Sequence, residues 1–368
     1  MNPLIESPEI LDVPDVESAR ATADARLPLT IRTPDELLAM AFDDSDIIIG
    51  DRLLALFQSL VIAAQAGAGK SRLLLQLIAA QTAGRKFLGL PTSNAGLRWL
   101  VLQTENSNRR LQLDLSFLKS WLGADWANFN EIVTLHTIEH DADGFVSLDS
   151  SENKEAIADI ITRTLPDIIA VDPLNDFSTG DLNKDVDMRA TVSALSRLCR
   201  RGNPRRALVV LHHALTGKAG AAKAVGHDRA SFARNSKALL AWARGQINIA
   251  PMSGENNERL IVACGKASNG REFPPFAVKL NTATMIYECD PSIDVAAWAA
   301  EMTGKPDAPL MSPDRVGELC DASGSSKPQL AKAIMEDCGC VRQSAYRYIV
   351  RATGKTIKKG KDETFFRM

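Results

Sequence analysis

The chain has 368 residues, of which 45% are hydrophobic and 24% charged, with a formal net charge of −2. That balance suits a globular protein with one large core plus small appendages, and excludes a wholly disordered chain and a polycation. No apolar run reaches the ~20 residues of a membrane span, and no basic-then-apolar leader opens the chain, so a reduced, cytoplasmic protein without membrane contact is expected.

Charge is unevenly placed. Residues 1–33 carry Glu6, Glu9, Asp12, Asp15 and Glu17 among four prolines, and read as an acidic, largely disordered arm. A short helix is expected over 34–41, with Pro34 in its first turn. From Ile47, short apolar runs alternate with amphipathic stretches, the pattern of a mostly parallel sheet covered by helices. Strands are expected at 59–65, 98–104, 132–138, 167–172 and 207–212, and helices at 70–83, 108–123, 151–164, 185–201 and 232–244. Four hairpin strands follow, at 247–250, 260–263, 277–281 and 284–288. The α/β core therefore spans 34–302, a Pro- and Gly-rich linker 303–313, and a small basic module 314–368. Six cysteines show no disulfide or zinc spacing, and Cys338-Gly-Cys340 lacks a companion pair.

The strongest local signal is Ala64-Gln65-Ala66-Gly67-Ala68-Gly69-Lys70-Ser71, between an apolar strand and a helix. Small residues let backbone N–H groups turn inward around phosphate oxygens, and the helix N-terminus adds partial positive charge. Lys70 then reaches the terminal phosphates and Ser71 a magnesium ion, which makes ATP and Mg²⁺ the expected ligands. Ala66, Gly67, Ala68, Gly69, Lys70, Ser71 and Arg72 form the expected binding set. The one departure from G-x-x-x-x-G-K-[ST] is Ala64, where the pattern has Gly.

Other candidates stand at strand ends. Asp172 closes an apolar strand and is suited to the metal's water shell. Glu105, after Trp99-Leu-Val-Leu-Gln-Thr, is placed to orient the attacking water, on a strand expected beside the phosphate-loop strand. Pro173 follows Asp172, so Glu105 rather than a neighbour of Asp172 is the candidate base. Of His212 and His213, His212 is expected to sense the terminal phosphate. The next segment, 214–232, reads as a long flexible loop whose Lys218, Lys223 and Arg229 contact a nucleic-acid backbone.

Together, Gly67-Ala-Gly-Lys-Ser71, Leu102-Gln-Thr-Glu105, Ile169-Ala-Val-Asp-Pro-Leu174, Val210-Leu-His-His213 and Asn235-Ser-Lys-Ala-Leu-Leu-Ala-Trp-Ala-Arg244 resemble the RepA-like hexameric helicases, within the RecA-like ATPases. The resemblance covers roughly 47–289. It implies an ATP-hydrolysing helicase subunit of plasmid, phage or mobile-element replication, assembled as a homo-oligomer, a hexamer, around single-stranded DNA. It further implies that Arg244 is offered to a neighbouring subunit's ATP and that Lys266 lies near the nucleotide. A filament-forming recombinase-type ATPase and an ATP-gated regulator remain alternatives.

In the tail, helices are expected at 312–321, 327–336 and 341–352, followed by a two-stranded wing turning near Gly360. This resembles a winged helix-turn-helix, presenting Arg342 and Arg347 to a duplex groove and Lys358 and Lys359 to phosphates. The same fold serves protein docking, so duplex DNA and a replication protein are both expected partners.

Overall fold

The computed structural model describes residues 31–41, 43–65, 67–93, 96–138, 146–178, 180–233, 237–253, 257–302, 311–338, 342–360, 362 and 364–368. The expected disordered arm, apart from 31–33, and most of the expected linker lie outside them. The chain divides into two units, 1–44 and 45–368.

The first unit contains one short helix, α1 (Pro34–Leu38). Thr33 caps it: its hydroxyl accepts from Glu36 N–H, and the Glu36 carboxylate accepts from Thr33 N–H at 2.6 Å. This reciprocal pair satisfies two otherwise orphaned backbone donors. The expected helix through Ala41 stops at Leu38.

The second unit opens with a two-stranded ribbon, β1 (Ile47–Ile49) and β2 (Leu54–Ala55). The main elements follow as β3 (Ser59–Ala64), α2 (Lys70–Thr82), β4 (Trp99–Gln103), α3 (Asn108–Leu122), α4 (Trp126–Ile132) and β5 (Val133–Leu135). Then come α5 (Ser151–Thr164), β6 (Ile168–Asp172), α6 (Asp185–Arg200), β7 (Ala207–His213), α7 (Gly217–Val225) and α8 (Lys237–Trp242). Strands β8 (Gly245–Pro251), β9 (Arg259–Ala267), β10 (Phe276–Asn281) and β11 (Ile286–Cys289) lead into α9 (Val295–Met302).

Nine strands form one sheet in the order β11-β10-β9-β8-β3-β7-β6-β4-β5. From β5 to β8 neighbouring strands run parallel, and β9, β10 and β11 add an antiparallel edge. Side chains alternate between the two faces. Ile62, Ala64, Leu211, Ala170 and Val101 pack with Leu73, Leu74 and Leu77 of α2. Val61, Ala63, Val210, Val171 and Leu102 pack with Met188, Val192 and Leu195 of α6. A sheet buried on both faces explains why its central strands read as unbroken apolar runs.

Three expectations are corrected. First, β4 does not neighbour β3: β7 and β6 intervene. Second, Ile247–Ala250 is no mere hairpin arm, because β8 runs parallel to β3 while pairing antiparallel with β9. Third, the expected long loop 214–232 contains α7; its Lys-Ala-Gly-Ala-Ala-Lys-Ala run is rich in the best helix former, which outweighs one internal Gly.

At the C-terminal end of the chain, α10 (Pro313–Leu319), β12 (Ser325–Ser326), α11 (Lys327–Cys338), α12 (Arg342–Ala352), β13 (Ile357–Lys359) and β14 (Thr364–Arg367) surround their own core of Val316, Leu330, Ile334, Ile349, Ile357 and Phe365. Their antiparallel sheet has the order β12-β14-β13. Among the described residues no helix is long and apolar enough to cross a membrane.

Candidate nucleotide site

The site is built at the carboxyl ends of β3, β7, β6 and β4, where a parallel sheet leaves a crevice. The phosphate loop leaves β3 after Ala64 and enters α2 at Lys70. Gly67 and Gly69 have φ of +76° and +72°, values that suit glycine. A Cβ on Gly69 would stand 2.8 Å from Tyr287 Oη, so this position has neither the conformation nor the room for a side chain. Ala66 lies outside the described residues.

Period-two alternation decides which strand-end residues meet. Counting on from Leu211 and Ala170, His213 and Asp172 fall on the α2 face of the sheet, and His212 on the other. His212 is fully buried there. The side chain brought to the phosphate loop is therefore that of His213, against the expected His212. Lys70 Nζ lies 3.4 Å from His213 Nδ1, and His213 Nε2 lies 3.7 Å from Glu105 Oε1. An ammonium has only donors, so the Lys70 contact suits a ring nitrogen that accepts, with Nε2 turned to the Glu105 carboxylate.

This arrangement holds the Glu105 carboxyl below its usual range, through His213 and then through Lys70. Glu105 stays ionised and remains partly open to solvent. Burial, the largest influence on Lys70, lowers its pKa, while Glu105 and Asp172 oppose that shift. Asp172 is almost wholly buried, and burial raises its carboxyl to about 6 although the Ser71 hydroxyl bonds to it. Its Oδ1 has no hydrogen-bond partner among the described residues. Two further groups escaped sequence reasoning: Thr104 Oγ1 donates to Asp176 Oδ2 at 2.7 Å, beside Glu105.

A magnesium nucleotide fits these residues. Gly67–Ser71 form a cradle that admits no larger side chain at Gly69, and the orphaned Asp172 oxygen beside Ser71 is an oxygen donor of the kind a hard cation takes. Arg72 is paired with Asp114 of α3, Nη2 to Oδ1 3.1 Å, where Arg110 also binds.

Other expected site residues lie elsewhere. Arg244 is exposed at the opposite end of β3, its N–H donating to Ser59 O at 2.8 Å. Lys266 Nζ donates to Leu240 O and Ala243 O, at 2.7 and 2.8 Å. It caps the end of α8 rather than reaching the phosphate loop. Lys223 is half-buried on α7, and Arg229 is paired with Glu272. The side chains of Lys218 and Arg347 fall outside the description. Arg342, Lys358 and Lys359 are exposed on α12 and β13. Lys327 and Arg342 flank the Tyr346 ring at 5.1 and 5.6 Å. Among the described residues no cluster of His, Cys, Asp or Glu has the makings of a separate metal site.

Residues 34–221 match the AAA domain family, slightly more than half of the chain. No curated protein matches the sequence. Among solved structures, a KaiC-like protein from the hyperthermophilic archaeon Pyrococcus horikoshii OT3 is similar with a TM-score of 0.43 and 11% identity, over 65% of this chain and 91% of that one. With the phosphate loop, the magnesium-suited Asp172 and Glu105 all at one end of a mostly parallel sheet, the chain belongs to the AAA domain family.

Proposed function

We propose that this protein is an ATP-driven DNA helicase subunit, working in a ring of identical copies around single-stranded DNA during replication of a plasmid, phage or mobile element. The observation that carries the reading is the position of Arg244. It is exposed at the Ser59 end of β3, a strand that itself spans about 17 Å at ~3.3 Å per residue step before the phosphate loop begins, and cannot serve its own site. An arginine so displayed suits the nucleotide of an adjoining copy, where it would offset charge on the transferring phosphoryl group.

Within one subunit, the chain's residues divide the remaining work. The loop amides and Lys70 bind the phosphates. Glu105, kept ionised and oriented by His213, takes the proton of the attacking water. Ser71 and Asp172 would hold magnesium, which supplies charge neutralisation when bound. β7 ends at His213 and α7 begins four residues later with Lys223 on it, a short path from the site to a strand-contacting segment. The C-terminal module, with Arg342, Tyr346, Lys327, Lys358 and Lys359 on its exterior, suits duplex DNA as a winged helix does.

The test is ATP turnover with and without single-stranded DNA, displacement of a forked duplex, and native mass measurement. DNA-stimulated turnover, displacement and a closed ring support the reading. Stimulated turnover without displacement rejects the helicase in favour of a filament or a gated regulator, and a monomer under all conditions rejects the ring.

A further inference from the structure

The sheet's antiparallel edge returns to the phosphate loop through two residues distant in sequence. Asn257 Nδ2 donates to Gly67 O at 2.7 Å. The other end of the same peptide unit is also held, because Ala68 N–H donates to Gln65 O at 3.2 Å. A peptide is planar, so fixing its carbonyl and its N–H together fixes the plane. Asn257 is itself held by Tyr287, whose hydroxyl donates to Asn257 O at 3.1 Å. Tyr287 is buried and its backbone is locked to α2: Gln76 Nε2 donates to Tyr287 O at 2.7 Å, and Tyr287 N–H donates to Gln76 Oε1 at 2.9 Å.

We propose that Asn257, supported by Tyr287, is a positioning residue for nucleotide binding: its amide clamps the Gly67–Ala68 peptide in the phosphate-receiving conformation. The proposal rests on the phosphate loop being the nucleotide site. A glycine loop with two left-handed residues loses much conformational freedom on binding, and a clamp that orders it beforehand reduces that cost. Asn257 touches no phosphate in this scheme and acts only through the loop.

The experiment measures binding of a ribose-labelled fluorescent ATP analogue with Mg²⁺ to the full chain, and steady-state ATP turnover. Asn257→Ala removes the donor. Asn257→Asp keeps the shape but sets a carboxylate against the Gly67 carbonyl, so it is the more damaging change. Expected are a weakening of about fivefold for Asn257→Ala and tenfold or more for Asn257→Asp, appearing in KM and not in kcat. Asn257→Ser, which retains a hydroxyl donor, restores part of the affinity. Tyr287→Phe weakens binding less than Asn257→Asp with little change in Tm, and provides a second handle should an Asn257 variant fold poorly. Equal affinity of wild type, Asn257→Asp and Tyr287→Phe overturns the clamp while leaving the nucleotide site standing. Failure of the wild type to bind the analogue overturns the nucleotide site, and the clamp with it.

Discussion

His213 Nε2 stands 3.7 Å from Glu105 Oε1 while its Nδ1 faces Lys70 Nζ at 3.4 Å, so a single imidazole spans the phosphate-loop lysine and the candidate base. Glu105→Gln removes the base and is expected to lower kcat by about a hundredfold or more with nucleotide binding retained. His213→Ala releases the carboxylate and is expected to cost about tenfold, the effect of losing the polar partner that orients a charged group. His212→Ala, in the opposite layer, acts on stability instead. Single-turnover kinetics paired with thermal melts separate the two histidines.

Lys70→Ala and Arg244→Ala are each expected to abolish turnover, for different reasons. The first lacks its own site, and the second lacks what it offers a neighbour. In the proposed ring, mixing the two inactive variants restores some turnover, because an Arg244 variant's intact loop then meets a Lys70 variant's arginine. Turnover of the mixture against each variant alone is the measurement.

Asp172 carries a stability cost in the nucleotide-free protein. Its carboxyl is raised from 3.8 to about 6 by burial, so the folded state prefers the protonated form. The cost is full above pH ~6 and disappears as pH falls through that value towards 3.8, at up to roughly 3 kcal/mol for a shift of this size. Asp172→Asn is therefore expected to raise the apo Tm at pH 8, with the advantage fading below pH 6, while eliminating magnesium-dependent turnover. Melts in chelator across pH 5–8 check the sign.

Gln76→Leu leaves the helix propensity of α2 nearly unchanged but strands two buried backbone groups of Tyr287. A loss of roughly 2–4 kcal/mol is expected. Urea unfolding of the variant against wild type reads it directly.

Much of this architecture was legible in the sequence because it is local. The strands expected at 59–65, 98–104, 167–172 and 207–212 form with ends within one residue of those bounds, and the loop from Gly67 to Ser71 sits between strand and helix as its spacing implies. Strand order was not legible: nothing local says that β7 and β6 separate β3 from β4, since that depends on which crossovers pack. The choice between the histidines failed for a smaller reason. It needed the face of the strand, which follows from alternation only once α2 is known to lie against Leu211 and Ala64. Asn257 and Tyr287 carried no signal at all, because their partner Gly67 lies 190 residues from Asn257 and contact alone makes them meaningful.

Ser59 and Ala64 close the two ends of β3, and every residue between them is buried. Arg244 hangs from the first and the phosphate loop from the second. A strand enclosed by neighbours on both sides and helices above and below moves as a rod, not as a string. In the proposed ring, that one six-residue strand would be the whole backbone path between the arginine offered to a neighbour and the loop that receives the nucleotide.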